Sequence, residues 1–208
     1  MECLQRARQY RHIGTGMKQS EPINWYILYV QTEKQGQLCT LLEKEGVHAF
    51  LPMMEYYRRD RRGLAVKPMF PGYIFVQSEL GQEEFDRLLD SMEGRRWGFI
   101  RQLREEGGAA LTEDEKRFFQ LVLDDAETAR MSYGYLDSEG RAVITYGPLV
   151  GYESRIQKTD RHNCLVLMDF AFREEPVKLG LTILTMEELR ERELYTDETK
   201  RQLLQNND

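Results

Sequence analysis

The chain has 208 residues, 31% of them charged and 41% hydrophobic, with a formal net charge of −6. The apolar share is enough to build cores and excludes wholesale disorder. No apolar run approaches the roughly 20 residues of a membrane-spanning helix, and the basic stretch 1–20 lacks the apolar segment of a secretory signal.

Cys3, Cys39 and Cys164 lie far apart with no C-x-x-C, and His12, His48 and His162 are equally scattered. That pattern argues against a disulfide framework and a metal site, and for a reducing, cytoplasmic setting. The acidic average hides local differences. Residues 55–67 hold five basic residues against Glu55 and Asp60, and residues 95–104 hold four arginines and no acid. The negative charge is concentrated in 105–127 and 187–198. Fields act over a Debye length of about 8–10 Å, so the basic segments count separately from the average.

In chain order, Trp25 to Val30 is a short aromatic and β-branched run that predicts a central strand. Leu38, Leu41 and Leu42 carry a helical spacing that stops before Gly46. Val47 to Leu51 predicts a second strand, closed by Pro52, and Tyr56 to Arg62 reads as a loop or hairpin tip ending at Gly63. Gly72 to Gln77 predicts a buried strand with Tyr73 and Phe75 on one face and Ile74 and Val76 on the other. Phe85, Leu88, Leu89 and Met92 form one helix face, and Phe99 to Leu103 is a further strand. Thr112 with Glu115 is a capping box opening a helix whose expected apolar face is Phe118, Leu121 and Val122. The class is α+β, a mostly antiparallel sheet flanked by helices, over residues 23–125.

Residues 126–136 show neither period and read as a linker with an end-to-end distance of roughly 16–20 Å, which lets the two parts move independently. From 137 to 186 the pattern changes to short strands (Arg141 to Thr145, Arg155 to Lys158, Leu165 to Phe170, Val177 to Leu181), as in a small all-β barrel. Residues 1–22 are an N-terminal extension, and 187–208 an acidic tail of weak helix or disorder.

Catalytic patterns are missing. There is no G-x-S-x-G, phosphate loop or dinucleotide fingerprint, so no cofactor and no enzymatic activity are expected. His162 and Cys164 are the best local pair, but Cys164 opens an apolar strand and reads as a small buried hydrophobe.

Phe50-Leu51-Pro52-Met53 followed by Phe70-Pro71-Gly72-Tyr73-Ile74-Phe75-Val76 resembles the hallmark of the NusG N-terminal (NGN) domain, and the strand from Trp25 fits its usual start. Ile144-Thr145-Tyr146-Gly147-Pro148-Leu149-Val150-Gly151-Tyr152-Glu153, with Ile156 and Pro176-Val177-Lys178-Leu179, resembles a KOW barrel. The resemblance implies a monomeric transcription elongation factor. Its first domain binds the clamp helices of the largest RNA polymerase subunit, reduces pausing and contacts non-template DNA. Its KOW domain recruits a second partner. Housekeeping members dock termination factor Rho or a ribosomal protein through a Phe-Gly-Arg loop. Here Phe170-Ala171-Phe172-Arg173 departs from that loop, with Phe172 where the Gly falls, so the resemblance does not carry Rho or ribosomal docking to this chain. Residues 151–162 are similar to the KOW region of specialised antiterminators of the LoaP type, whose barrel is implicated in binding a leader RNA hairpin.

On this reading the polymerase-binding candidates are Trp25, Phe70, Pro71 and Tyr73, an exposed aromatic patch suited to anchoring a helix. Arg58, Arg59, Arg61, Arg62, Arg95 and Arg96 are DNA candidates. Arg155, Lys158, Arg161, His162, Arg173 and Lys178 are RNA candidates. The rival reading is a stand-alone RNA-binding or ribosome-associated KOW protein whose first domain is a platform.

Overall fold

The aromatic run near the start forms β1 (Asn24–Val30), one of the two inner strands of a four-stranded antiparallel sheet ordered β2-β5-β1-β6. A computed structural model describes residues 23–104, 110–172 and 175–194. The extension 1–22, Arg173 and the tail beyond 194 lie outside the described residues. The other strands of this sheet are β2 (His48–Phe50), β5 (Tyr73–Ser78) and β6 (Phe99–Leu103). β1 and β5 pair with Leu28 opposite Ile74 and Ile27 opposite Phe75, so the residues predicted to alternate do alternate.

Both sheet faces are buried, by different means. Helices α1 (Gln35–Lys44) and α2 (Gln82–Ser91) cover the face of Tyr26, Leu28, Ile74 and Val76. Leu38, Leu42, Phe85 and Met92 supply the cover, and the Phe85 ring stacks on Tyr26 at 4.0 Å. Each large apolar side chain so buried contributes about 1.5–3 kcal/mol. The face of Trp25, Ile27 and Phe75 is covered by α3 (Glu113–Val122) and by the C-terminal barrel.

The capping box forms as predicted: Thr112 Oγ1 accepts from the Glu115 amide at 3.3 Å, and the Glu115 carboxylate accepts from the Thr112 amide at 2.6 Å. The buried face of α3 differs from the prediction. Leu121 is exposed, and Phe119 is buried with Phe118 and Val122. The helix is wedged between two bodies: Phe119 packs on Phe75 at 5.3 Å, and Phe118 on Phe170 of the barrel at 4.3 Å. Two neighbours demand a wider stripe, turned away from Leu121.

The Tyr56 to Arg62 region belongs to a hairpin, β3 (Met53–Arg58) and β4 (Gly63–Pro68), whose tip is residues 59–62. The stretch 126–136, read from the sequence as a linker without either period, has defined local structure. It contains β7 (Thr128–Ala129), parallel to β3, and β8 (Ser132–Leu136). Two half-buried carboxylates impose the order. Asp124 accepts from the Ala126 and Thr128 amides and from Arg130 Nε at 2.6 Å. Glu55 accepts from Arg130 Nη1 at 2.9 Å and from the Met131 amide at 2.8 Å.

The barrel is a curled five-stranded sheet ordered β10-β11-β12-β8-β9, with β9 (Ala142–Tyr146), β10 (Ile156–Asp160), β11 (Leu165–Phe172) and β12 (Glu175–Ile183). The α+β architecture with a small all-β unit is the one expected. The tail begins as a short helix, α4 (Met186–Glu191), opened by its own Thr185–Glu188 capping box and anchored by buried Leu189. One continuous hydrophobic core joins the barrel to the first unit. Gly180 of β12 permits the approach, since a Cβ there would lie 2.7 Å from the Glu55 carbonyl oxygen of β3.

Candidate functional site

Phe70-Pro71-Gly72-Tyr73 makes a tight turn into β5, closed by the Tyr73 amide donating to the Phe70 carbonyl at 3.1 Å. Pro71 presets the first central residue, and Gly72 takes φ +86°, the left-handed value that a type II turn requires at the second. The Gly72 amide donates to Gln35 Oε1 at 2.9 Å, and its carbonyl accepts from Val30 at 2.8 Å. The turn is therefore fixed on β1 and α1, and it holds Phe70 and Tyr73 at the rim of the sheet face.

Both rings are half-buried, and Pro71 is exposed. What covers them is Phe172 of β11, with ring centroids 4.4 Å from Phe70 and 5.2 Å from Tyr73. Tyr29, opposite Tyr73 in register, adds a ring at 5.2 Å. Trp25 does not stand in this patch. It is 5% exposed and packs edge-on to Phe50 and Phe75 beneath it. The reason is β1 itself, whose Trp25 and Ile27 share the face that the barrel and α3 bury. The aromatic patch expected to be exposed is thus occupied by another part of the same chain. Sequence reasoning missed Tyr29, Phe119 and Phe172. The signal for Phe172 was its pairing with Phe170 at a strand's two-residue spacing.

The basic candidates divide. Arg95 pairs with Glu45 at 2.9 Å, and Arg96 lies over the Phe99 ring at 4.7 Å. Arg95 also borders an open groove of about 410 Å³ with Lys34, Lys44 and Trp97. Trp97, 75% exposed, was not singled out from the sequence. Arg58 is engaged by Asp60 at 3.0 Å, and its hydrogen bond holds that exposed carboxyl below the usual carboxylate range. Arg59 reaches the barrel: its Nη1 is 2.7 Å from His162 Nε2. With Arg59 as donor, His162 carries its proton on Nδ1. Two segments assigned to different roles in the sequence thus meet. Arg61, Arg62 and Arg161 are exposed beside this contact in sequence.

Elsewhere on the barrel, Arg155 Nε lies 2.7 Å from Asp169. Lys158 and Lys178 are exposed and flank Leu167 in one cross-strand row, which puts them on a common face. His162 and Cys164 do not form a reactive pair. Both sit in the β10–β11 turn, where Cys164 is half-buried with φ +53° and its thiol faces the Arg161 carbonyl at 3.9 Å. Among the described residues no cluster of His, Cys, Asp and Glu could hold a metal ion, and no helix is long and apolar enough to cross a membrane.

Comparison with curated proteins gives no match. Among solved structures, one described as "Domain interaction in Thermotoga maritima NusG" is similar at 16% identity and a TM-score of 0.47, covering 78% of this chain and 94% of its own. Residues 23–116 match the family model described as transcription termination factor NusG. That match runs from β1 to the first turn of α3 and takes in the Phe70-Pro71-Gly72-Tyr73 turn, so this part of the chain is similar to the NusG family.

Proposed function

We propose that this chain is a transcription elongation and processive antitermination factor that docks on the RNA polymerase clamp helices through the Phe70–Tyr73 turn. It consists of a polymerase-binding domain (23–125), a connecting segment (126–136) and a KOW barrel (137–186). One observation supports the reading: among the described residues, an aromatic ledge built on a rigid turn takes its one ring in contact with both Phe70 and Tyr73, Phe172, from a distant strand of the barrel. Rings that depend on a separable unit for cover are rings that a partner helix can take over. Phe172 and the clamp helix would compete for one surface, so binding requires the barrel to leave. The mechanism is scaffolding: the bound domain disfavours clamp opening, and pausing and termination fall. Trp25 supports the ledge from below.

Two further surfaces fit the role. The groove of Lys34, Lys44, Arg95 and Trp97 offers cations and an exposed indole, the combination that holds a single strand of DNA. The barrel's Lys158 and Lys178, on one face, suit RNA phosphates. Phe172 explains the departure from the housekeeping loop: where that loop has Gly, this chain has the ring that covers the ledge, in keeping with a specialised antiterminator of the LoaP type.

The test is retention of the full chain on RNA polymerase with Phe70→Ala and Tyr73→Ala, each made in a Phe172→Ala background so that loosening of the barrel is common to all. Aromatic anchors typically cost about 2 kcal/mol or more when truncated, so retention should fall roughly 30-fold for each. Unchanged retention in both would remove the clamp assignment.

A further inference from the structure

We infer that the β3–β4 tip and the β10–β11 turn form one composite cationic site for the phosphodiester backbone of a nucleic-acid duplex, and that this site exists only while the barrel is docked. The inference rests on the proposed nucleic-acid role and adds a location and a regulatory consequence. It starts from the 2.7 Å contact between Arg59 and His162, which joins residues 59–62 to residues 161–164.

The charges at this junction are unequal. Its two acids are engaged locally: Asp60 binds Arg58, and Asp160 accepts from the Asn163 side chain at 2.7 Å and amide at 3.0 Å. Arg59, Arg61, Arg62 and Arg161 have no carboxylate partner among the described residues, and all four are exposed. The tip even holds Arg62 at φ +49°, a left-handed conformation that glycine adopts without strain. The Arg59–His162 contact sets the arginine-bearing tip beside the turn that carries Arg161, and an anion spanning the two would relieve the repulsion between their cations. Guanidinium forks match phosphate oxygens in pairs, and phosphates spaced along a duplex offer several such oxygens at once.

Linkage then follows. A duplex touching both turns binds the docked arrangement more tightly than the open one and so stabilises it. Docking is also what covers Phe70 and Tyr73. Duplex binding and polymerase binding at the ledge are therefore mutually antagonistic, by the same factor in each direction.

The test is fluorescence anisotropy of the full chain with a short blunt RNA duplex, a DNA duplex of the same sequence and the single RNA strand, each across a salt series. We expect one duplex per chain and a Kd that rises steeply with salt. Arg59→Ala/Arg61→Ala/Arg62→Ala and, separately, Arg161→Ala/His162→Ala should each weaken binding about tenfold or more and flatten the salt slope. Phe172→Ala leaves every cation in place and should weaken binding too, with Phe70→Ala opening the same contact from the other side as the second variant. Whichever duplex binds more tightly identifies the source of the backbone. Wild-type affinity in both charge variants overturns the site. A loss of no more than about twofold from either half, with full loss only in combination, means two independent sites and also overturns it. Tighter binding of the single strand overturns the duplex assignment. Failure of the wild type to bind any nucleic acid removes the nucleic-acid role itself, while polymerase retention tests the ledge separately.

Discussion

The two faces of the β2-β5-β1-β6 sheet are equally apolar and are closed in opposite ways. One is sealed by α1 and α2, which directly follow the strands they cover, through Leu38, Leu42, Phe85 and Met92. The other is closed by α3 and by Phe172 from the barrel, far along the chain. A local seal opens only by unfolding. A borrowed seal can leave as a unit, and the rings beneath it then become an interface. The contrast teaches where to look for a concealed binding surface: at the core contact whose partner comes from the greatest sequence distance.

The largest expected effect tests the local seal. Leu42→Ala should destabilise the chain by about 2–5 kcal/mol, since its side chain is fully buried, and should not raise polymerase retention. Denaturant melts and retention assays read the two quantities independently. Next, Phe172→Ala should weaken docking by about 3 kcal/mol, enough to raise the open population roughly a hundredfold. Hydrogen exchange at the Phe70–Phe75 amides should quicken while α2 stays protected. Equal quickening in α2 would show that the two seals are not separate. Arg130→Ala leaves the Asp124 and Glu55 carboxylates short of a partner and should cost about 1–3 kcal/mol. Limited proteolysis should then cut within 126–131 faster than in the wild type.

The smallest effect concerns Glu127, which ties the connecting segment to the sheet edge by its 2.8 Å contact with His48. Burial pushes its carboxyl above the ordinary 4.5, against the opposing pull of His48. A folded-state pKa above the unfolded one means the folded chain binds the proton more tightly, so this group's contribution to stability falls as pH rises past 4.5. Glu127→Gln removes that dependence. Its stability relative to wild type should increase with pH above 4.5, by under about 1 kcal/mol in all. A difference that is flat in pH would show that the carboxyl is not desolvated in the fold.

Much of this was legible from the chain. Apart from the strands of the β3–β4 hairpin, the elements from β1 to α3 follow from local signals: an aromatic run, leucines at helical spacing, a Pro-Gly turn, and a Thr-x-x-Glu box that forms as read. The Phe70-Pro71-Gly72-Tyr73 turn was readable for the same reason, because Pro and Gly dictate its backbone whatever surrounds it. What was misread depended on neighbours. Leu121 has the right period for a helix facing one body, whereas α3 faces two. Residues 126–136 show no period because their order comes from the carboxylates of Asp124 and Glu55, not from a stripe of their own. Trp25 was grouped with Phe70 and Tyr73 by its aromaticity, but its strand face buries it.

Sequence alone determined the helices and strands with a clear period, the turn that presents the aromatic rings and the separation of charge into basic and acidic segments. These are properties of residues close in the chain, set by backbone preference and periodicity. Tertiary structure decided that Phe172 covers Phe70, that the connecting segment is clasped to β3, and that Arg59 meets His162. Those contacts join residues distant in the chain. Their energies depend on shape and on which charges find partners, and neither quantity is written in any local pattern.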